Sequence, residues 1–527
     1  MKCISTWSSL LTITLAVAAV PSVNATMPGE SPQDLPIIIQ EDHHDTSPPL
    51  FALAQISPQV EAPVVALPLH RRPGPPIVSS QPDPVLQQQA TNVSAALAIS
   101  NLITFAGLNN LDGLVPADPN AAIGNSQIVE MVNSHYQVFS TSGTSLLGPA
   151  TIGSIWNGFG GQCDPTTAGG HVYSDPIVLR DKIAQRWLIT VIGSSSLSFN
   201  SNNTECIAVS SGSDATGSYH RYAFSFGTTL NDYPKFGVWP DAYYASYNLF
   251  VNDAGNGAEA CAYNRTAMLA GSAATSVCFQ RSSDFSLLPT NFDGVTLPPS
   301  GEPNFYLELA TSTTLKMFRF HVNFTTPSSS TFSGPVTITV ASYSEACGGA
   351  GDCIPQPGGA PVLEGLGDRL MFPLSYHNFG DHESLVTNHS VAVGSSVGVR
   401  WYNIRSPNAT PTVFQQGTYA PDSSFRWMGS INQNGNGNIC LGYSVSSSTL
   451  FPSVRVACRA STDPLGTLGA ENTIINGGGA QTGANRWGDY SSMAVDPADN
   501  TTFIYTNMVY RSSSSANWST QIGSFTP

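Results

Sequence analysis

Residues 486–507 read RWGDYSSMAVDPADNTTFIYTN, and this stretch decides the fold class. A short strand-like run, SSMAV, ends in the turn sequence DPADN, and a second run, FIYTN, follows within two residues. Two such runs joined by Asp, Pro and Asn indicate an antiparallel β-hairpin. The stretch therefore predicts the first two strands of a small antiparallel sheet.

The same pattern recurs six times upstream, with successive starts 57 to 68 residues apart. The seven repeats begin at Asp118, Asp175, Pro234, Glu302, Asp368, Arg426 and Trp487. A four-stranded blade with its loops needs about 40–60 residues. We therefore predict an all-β fold, a seven-bladed β-propeller of four-stranded antiparallel blades over residues 101–527. The alternative is a β-sandwich, or two in tandem. We expect the last strand, 520–525, to join either the final blade or the first and close the ring.

The composition agrees with an all-β protein and disfavours several other classes. Only 10% of the 527 residues are charged, against about 25% in ordinary soluble proteins. Gly (47) and Pro (38) are abundant, which argues against coiled coils and helical bundles. The net charge is −15, so nucleic acid and anionic bilayers are repelled on average.

The N-terminal region predicts export. Residues 1–25 combine Lys2, an apolar stretch over residues 10–20 and a small-residue cleavage site ending at Ala25, which is typical of a signal peptide. No later run reaches the roughly 18 apolar residues of a membrane span. We therefore expect a secreted, extracellular or periplasmic monomer. Residues 26–100 are rich in Pro and Gln and lack a period of 2 or 3.6, so we predict a disordered leader or linker. Its Arg71-Arg72 pair is either a processing site or two solvated arginines.

The cysteines also indicate an oxidising compartment, because eight remain after the signal peptide. In ICLGYSVSSSTLFPSVRVAC, two β-rich runs flank a Ser-rich turn and bring the two cysteines close, and Cys261 and Cys278 lie in a similar setting. We predict sequential disulfides; fewer bridges with some buried free thiols is the alternative. The predicted pairs are Cys163–Cys206, Cys261–Cys278, Cys347–Cys353 and Cys440–Cys458.

Several longer motifs resemble a known group of proteins. These are FGVWPDAYY (236–244), GDRLMFPLSYHNFGDHESLVTNHSV (367–391), YAPDSSFRWMGSI (419–431) and RWGDYSSMAVDP (486–497). They are similar to motifs of a group of uncharacterised secreted, mostly bacterial, β-propeller-like proteins, over about residues 101–527. The resemblance implies a secreted propeller domain and no particular activity.

The charged residues at the repeat starts suggest a site. The first strand of each blade lines the central channel, so these residues gather around one axis. They are Asp118, Asp175, Lys235, Glu302, Asp368, Arg369, Arg426, Arg486 and Asp489. One interpretation is a ring of salt bridges between blades. The other is a polar pocket at the channel mouth, in which Asp175 and Asp489, or Asp118, act as general acid and base.

In that pocket we predict that Arg369, Arg426 and Arg486 bind a substrate carboxylate and that Trp427 and Trp487 stack on sugar rings. Three functions stay open: a glycoside hydrolase, a non-catalytic module that binds a glycan or a cell-surface protein, and a structural protein of the cell envelope. We expect no cofactor, with Ca²⁺ as an alternative in the turns at 118–120 and 496–500.

Overall fold

The computed structural model describes Met1 and residues 35–56, 63–87, 99–168 and 171–527. The predicted signal peptide, residues 1–25, lies outside the described residues except for Met1. No helix among the described residues is long and apolar enough to span a membrane. The first elements are short: β1 (Ile37–Gln40), β2 (His43–Thr46), α1 (Leu50–Leu53), β3 (Val65–Ala66), β4 (Leu86–Gln87), β5 (Ser100–Asn109) and β6 (Leu114–Val115).

Most of the remaining strands form antiparallel meanders, which we number as blades in chain order. Blade 1 contains β7 (Asn120–Ile123), β8 (Gln127–Val132), β9 (His135–Ser140) and β10 (Ser145–Thr151), followed by a 3-10 helix (Ile152–Trp156). Blade 2 contains β11 (Val172–Asp181), β12 (Arg186–Ser194), β13 (Asn203–Ser210) and β14 (Tyr219–Gly227). Blade 3 contains β15 (Thr229–Val238), β16 (Tyr243–Val251), β17 (Ala254–Tyr263), α2 (Arg265–Leu269) and β18 (Thr275–Arg281).

Four more blades follow. Blade 4 contains β19 (Leu288–Phe292), β20 (Asn304–Thr311), β21 (Thr314–His321), a 3-10 helix (Pro327–Ser329) and β22 (Thr331–Thr339). A connection then holds two 3-10 helices (Ala346–Gly348 and Pro357–Gly359), β23 (Asp352–Ile354) and β24 (Leu363–Glu364). Blade 5 contains β25 (Met371–Asn378), β26 (Glu383–Val393), β27 (Ser396–Arg405) and β28 (Thr412–Tyr419). Blade 6 contains β29 (Phe425–Gln433), β30 (Ile439–Ser446), β31 (Ser453–Arg459) and β32 (Asn472–Ile475), and blade 7 contains β33 (Ser492–Val495), β34 (Phe503–Val509) and β35 (Ser519–Thr526).

The innermost strands contact one another in a closed ring, in the order β7, β11, β15, β19, β25, β29 and β33. Strands inside the blades are buried on both faces, as in β30, where all eight residues are buried because the blades pack face to face. The predicted all-β propeller is confirmed. The number of separate blades stays a prediction, because β19 pairs in parallel with β25 and joins blades 4 and 5 in one nine-stranded sheet.

The ring closes through the two ends of the propeller sequence. β35 pairs antiparallel with β34 and, on its other side, with β5, so the N-terminal strand of the domain completes blade 7. The last strand therefore joins the final blade, one of the two predicted positions. This pairing leaves neither β35 edge open and ties residue 100 to residue 526.

The prediction of a disordered leader is wrong for residues 35–56 and 63–87. β1 extends blade 3, β2 extends blade 2, and β4 pairs in parallel with β28 of blade 5. The outer strand of each blade offers unpaired backbone groups, and these short leader strands satisfy them. Strands of two to four residues are too short to show a hydrophobic period.

All four predicted disulfides are present, which confirms the sequential pairing. Cys261 lies directly opposite Cys278 on β17 and β18, and Cys440 lies opposite Cys458 on β30 and β31. The other two bridges hold longer segments: one ties the loop after blade 1 to β13, and the other closes a loop between blades 4 and 5.

Candidate functional site

The innermost strands of blades 7, 1 and 2 are each preceded or opened by an aspartate in an unusual backbone conformation. Asp489, Asp118 and Asp175 have φ values of 40°, 50° and 54°, in the left-handed region that few non-glycine residues adopt. The Asp175 backbone N–H donates to Asn133 Oδ1 at 3.0 Å, which holds it there. Tyr233 takes the equivalent place in blade 3, with φ of 55°. Equivalent positions in adjacent blades bring the three carboxylates together at one end of the axis.

These three aspartates line a cavity of about 20 Å³, which has room for about one water molecule. Asp232 and Arg486 complete its charged wall. The other lining residues are Leu67, Pro68, His70, Pro116, Ser174, Ile192, Phe199 and Leu230. The structure thus brings together three residues of the predicted site, Asp175, Arg486 and Asp489. In this closed form the cavity is too small for a sugar ring.

Burial shifts the titration of two of the carboxyl groups. Desolvation raises the pKa of Asp118 well above its ordinary value, and the charges of Asp489 and Asp175 raise it further. Desolvation, followed by the charge of Asp232, raises the pKa of Asp175 to about 6. Asp118 Oδ1 has no hydrogen-bond partner among the described residues. Burial and neighbouring carboxylates therefore favour the protonated form of Asp118, and Asp175 exchanges a proton near pH 6.

Lys235 adds a buried positive charge beside these carboxylates. Its Nζ lies 3.5 Å from the ring centroid of Tyr233 and 4.0 Å from that of Tyr490, and it donates to the Pro234 carbonyl at 2.9 Å. Burial lowers the pKa of Lys235 to about 8, against the opposing attraction of Asp175 and Asp118. The cation–π contacts stabilise the ammonium group where water is excluded.

Arg486 is already fully engaged by protein groups. Its Nε donates to Glu364 Oε1 at 3.0 Å, its Nη1 donates to the Leu67 carbonyl, and its Nη2 donates to Asp489 Oδ2. Burial raises the pKa of Glu364 to about 7 although Arg486 opposes that shift. The predicted binding of a substrate carboxylate by Arg486 would require breaking one of these bonds.

The other two predicted arginines differ in position. Arg369 lies near the cluster, with its guanidinium 4.5 Å from the Tyr233 ring centroid. Its charge is neutralised by Asp368, because Arg369 Nε donates to Asp368 Oδ1 at 2.8 Å. Arg426 does not reach the cluster, and its predicted role there is wrong. It binds Glu471 through two hydrogen bonds of 2.9 and 2.8 Å and also binds Asp422.

The two predicted tryptophans do not offer a face to a ligand. Trp427 and Trp487 are fully buried, and their ring centroids lie 5.8 Å apart in the interface between blades 6 and 7. Trp487 Nε1 donates to Ser444 Oγ of blade 6 at 3.2 Å. The prediction that they stack on sugar rings is wrong in this structure, because they pack against each other inside the core.

A segment of the leader covers this end of the axis, and we call residues 63–77 the strap. Its Val65–Ala66 strand pairs in parallel with Leu114–Val115, and the Leu67 carbonyl accepts from Arg486. Further along, the His70 carbonyl accepts from Arg369 at 2.9 Å, and the Arg72 backbone N–H donates to Asp368 Oδ2 at 2.9 Å. The strap therefore binds the charged cluster directly and closes it.

Leu67 is the apolar anchor of the strap. It is buried in a cluster with Leu114, Ile192, Phe199, Leu230, Phe250 and Phe285. The His70 ring contacts the Phe250 ring in a tilted arrangement, with ring centroids 4.5 Å apart, and His70 Nδ1 lies 3.5 Å from Asp232 Oδ1. Sequence reasoning missed Leu67, His70 and Asp232, because no local pattern links the strap to blades 2 and 3. The pair Tyr233-Pro234 matches the pair Asp175-Pro176 of the preceding blade. Only the position of Asp232 directly before Tyr233 could have indicated a role for Asp232.

The two turns considered for Ca²⁺ are held by hydrogen bonds. Asn120 Oδ1 accepts from the Val178 backbone N–H at 2.8 Å. In the second turn, Asp496 Oδ1 accepts from Ala498 N, and Asp499 Oδ1 accepts from Thr501 N and Thr502 N, all at 2.8–2.9 Å. These oxygens already accept hydrogen bonds from the protein backbone, which accounts for Asn120, Asp496 and Asp499.

No protein-family model matches the sequence, and no curated protein matches it. Among solved structures, the chain is similar to an endo-arabinase from Bacteroides thetaiotaomicron at 10% identity and a TM-score of 0.27, over 53% of this chain and 92% of that one. It is also similar to an exo-β-1,3-galactanase from Clostridium thermocellum at 9% identity and a TM-score of 0.32, over 78% and 87%. The Dos1 propeller gives 9% identity and a TM-score of 0.32, over 76% of each chain. Similarity at this level carries no argument about function.

Proposed function

We propose that this protein is a secreted β-propeller that hydrolyses a glycan at the aspartate cluster, in a form opened by displacement of the strap. The observation that carries the proposal is the set of three carboxylates, Asp118, Asp175 and Asp489, at equivalent positions of adjacent blades, two of them with raised pKa. Buried carboxyl groups that keep different protonation states beside one another are the requirement for acid–base hydrolysis of glycosidic bonds.

Each carboxyl group has a role that fits its surroundings. Asp175, whose pKa is about 6, donates its proton to the leaving glycosidic oxygen as the bond between that oxygen and the anomeric carbon breaks. A water molecule adds to the anomeric carbon and gives its proton to Asp489, which Arg486 positions. Asp118, whose protonated form is favoured by burial and by Asp489 and Asp175, donates a hydrogen bond to a sugar hydroxyl.

The walls beneath the strap suit a sugar. When Leu67 leaves its pocket, it uncovers the rings of Phe199, Phe250 and Phe285, of which Phe199 also lines the cavity of the carboxylates. Flat aromatic faces next to hydrogen-bonding groups are the surfaces on which sugar rings stack. These rings replace Trp427 and Trp487 in the proposal. Lys235 supplies the one buried cation of the cluster without a carboxylate bond among the described residues, and it favours a glycan that carries acidic groups.

Export to the extracellular space or the periplasm is part of the proposal. Four disulfides form in the structure, and such bonds persist in oxidising compartments. The absence of a membrane-spanning helix among the described residues is compatible with release from the membrane. We propose a monomer whose partner is a glycan, either free or on a cell surface.

A structural role is the second candidate, and one observation favours it. Arg369, Arg426 and Arg486 each bind carboxylates of the protein itself, so the cluster resembles a belt of salt bridges. In that case the closed cavity and the strap serve stability alone. A non-catalytic glycan-binding module lies between the two candidates, because it requires strap displacement without chemistry.

The test compares two leader variants. Leu67→Ser weakens the anchor of the strap, and Leu53→Ser in α1 is the matched control, far from the cluster in the contact with the first 3-10 helix. Both proteins and the parent are incubated with neutral and acidic polysaccharides, and products are separated by mass. We expect Leu67→Ser to release oligosaccharides at least about tenfold faster than the other two, and Asp175→Asn in the same background to lose about 10²–10⁴-fold.

The outcomes separate the candidates. Turnover that depends on both Leu67→Ser and Asp175 supports the hydrolase. Saturable glycan binding by Leu67→Ser without products would support the binding module. Neither binding nor turnover by a folded Leu67→Ser protein would contradict both and leave the structural role.

A further inference from the structure

A second pocket lies at the opposite end of the axis, where the innermost strands end. Its volume is about 220 Å³, equivalent to roughly seven water molecules. It is open to solvent and shares no lining residue with the cavity beneath the strap. We call it the distal pocket; it is lined by Asn125, Arg180, Lys182, Ile183, Gln185, Phe292, Gly294, Val295, Leu297, Pro497 and Asn500.

The charge in the distal pocket is positive, although the chain as a whole carries a net charge of −15. Arg180 and Lys182 line it, and none of its lining residues is acidic. Lys182 is partly satisfied: its Nζ donates to the Asp293 carbonyl at 2.6 Å and lies 3.7 Å from Asp293 Oδ1. The charges of Asp293 and Asp496 both act on Lys182, so we call uncompensated only the positive charge of the other lining cation, which has no salt bridge among the described residues.

Arg180 carries that charge. Its residue is 6% exposed, its guanidinium carbon lies 4.8 Å from the Trp187 ring centroid, and its Nη1 donates to the Ser213 carbonyl at 3.3 Å. Among the described residues no carboxylate forms a salt bridge with it, unlike Arg486 at the other end of the axis. A guanidinium with one long hydrogen bond retains most of its five N–H donors for a ligand. Burial lowers the pKa of Arg180, as expected for a charge without a partner.

The opposite wall of the distal pocket is apolar and exposed. Val295 and Leu297 are 69% and 48% exposed, beside Phe292 and Ile183. Large aliphatic side chains at the mouth of a cationic pocket favour a ligand with an apolar body. The pocket therefore combines one uncompensated cation at its base with an apolar rim.

We propose that the distal pocket binds a small amphiphilic monocarboxylate, with its carboxylate on Arg180 and its apolar body between Val295, Leu297 and Phe292. One negative charge matches the one uncompensated positive charge, whereas a phosphate dianion would exceed it. The planar guanidinium and a carboxylate form two parallel hydrogen bonds, which gives the preference for this head group. This site is independent of the proposed hydrolysis at the aspartate cluster.

The test uses octanoate as the probe and 1-octanol as its uncharged counterpart, each titrated into the whole protein by calorimetry. We expect saturable binding of one octanoate, and at least about tenfold weaker binding of octanol, because a charge-assisted hydrogen bond is lost. Arg180→Gln should weaken octanoate at least about tenfold and leave octanol unchanged. Arg186→Gln is the matched control, because Arg186 lies in the same region of chain but does not line the pocket.

Three results would overturn the proposal. These are no saturable octanoate binding by the parent protein, equal affinity for octanoate and octanol, or an equal loss in Arg180→Gln and Arg186→Gln. Melting curves of each variant check folding, and Lys182→Met serves as a second variant should Arg180→Gln fail to fold. We expect Lys182→Met to lower the affinity for octanoate less than Arg180→Gln does, because Asp293 already binds Lys182. Unchanged octanoate affinity in both variants would also overturn the proposal.

Discussion

The two ends of the propeller axis are built from the same strands yet differ in charge, closure and backbone conformation. Where the innermost strands start, three aspartates in left-handed conformations, Asp232 and Arg486 line a cavity of about 20 Å³ beneath the strap. Where the strands end, two cations and an apolar rim surround an open pocket of about 220 Å³. Arg486 at the first end forms salt bridges with Glu364 and Asp489, whereas Arg180 at the second end forms none among the described residues.

Chain connectivity explains the difference. Most innermost strands end in a short turn, as between Asp181 of β11 and Arg186 of β12; the exception is the longer segment 293–303 between β19 and β20, which carries Val295 and Leu297. The strand starts instead follow the connections between blades, where longer pieces of chain approach the axis; Glu364 of β24 is one example. The strap adds to this end alone. Extra chain therefore covers one mouth and leaves the other open.

The largest difference in the free energy of unfolding between the two ends should appear when one arginine from each end is replaced. Arg486→Ala leaves Glu364, Asp489 and the Leu67 carbonyl without their partner in a buried place. We expect a loss of about 3–5 kcal/mol in the free energy of unfolding, measured by urea denaturation. Arg180→Gln should cost less than about 1 kcal/mol, because no carboxylate depends on it. Equal losses would show that the two ends do not differ in pairing.

A second comparison uses one leucine from each mouth. Leu67→Ala empties a buried aromatic pocket beneath the strap, and we expect a loss of about 2–3 kcal/mol. Leu297→Ala at the open mouth, where the side chain is half exposed, should change stability by less than about 0.5 kcal/mol. Hydrogen exchange of the Leu67 amide, which donates to the Val115 carbonyl, should accelerate in Leu67→Ala alone. Unchanged exchange there would mean that Leu67 does not anchor the strap.

The sequence predicted what is local and missed what is distant. The repeat spacing predicted the propeller, and the two hairpin patterns predicted the Cys261–Cys278 and Cys440–Cys458 disulfides, while the other two disulfides followed from pairing the cysteines in sequence order. Asp175 and Asp489 were found because they occupy repeat starts. The strap was missed because Leu67 contacts residues far along the chain, such as Phe199 and Phe285.

The error at Arg426 has a different cause. The left-handed residue of blade 6 is Met428, and that of blade 7 is Asp489. Arg426 therefore occupies the place of Trp487, two residues before the left-handed residue, and not the place of Arg486. A shift of one residue moves a side chain to the other face of a strand. The charged residues at the repeat starts do not by themselves show how far each one lies from the left-handed residue of its blade. Only the backbone conformation gives that register.

The pH dependence of stability should differ in sign between the two ends. Asp175 has a folded-state pKa of about 6, above its ordinary value, so the folded state binds the proton more tightly. Its contribution to stability is present below pH 4 and is lost as the pH rises toward 6. Asp175→Asn should therefore raise the unfolding free energy at pH 7 by on the order of 1–2 kcal/mol and flatten the fall between pH 4 and pH 6. Urea denaturation at several pH values measures this, with the exposed Asp381→Asn as control. A lower stability of Asp175→Asn at pH 7 would contradict the raised pKa.

The smallest expected effect comes from His377, at the end of β25 near the open mouth. Burial lowers its pKa to about 4, and Lys182 lowers it further while Asp293 and Asn432 oppose the shift. The unfolded state then binds the proton more tightly, so stability is present above pH 6.5 and is lost as the pH falls toward 4. His377 and Asp175 therefore act in opposite directions over the same pH range. His377 should lower the free energy of unfolding by on the order of 1 kcal/mol as the pH falls from 7 to 5. This decrease should be absent in His377→Gln and present in the surface variant His382→Gln. Because the two contributions partly cancel in the parent, the two single variants should show the steepest profiles, of opposite sign, and the double variant Asp175→Asn/His377→Gln should show a slope close to that of the parent. Two single variants that both keep the parent slope would place the pH dependence elsewhere, for example on Glu364 or Glu302, whose pKa values are both raised to about 7.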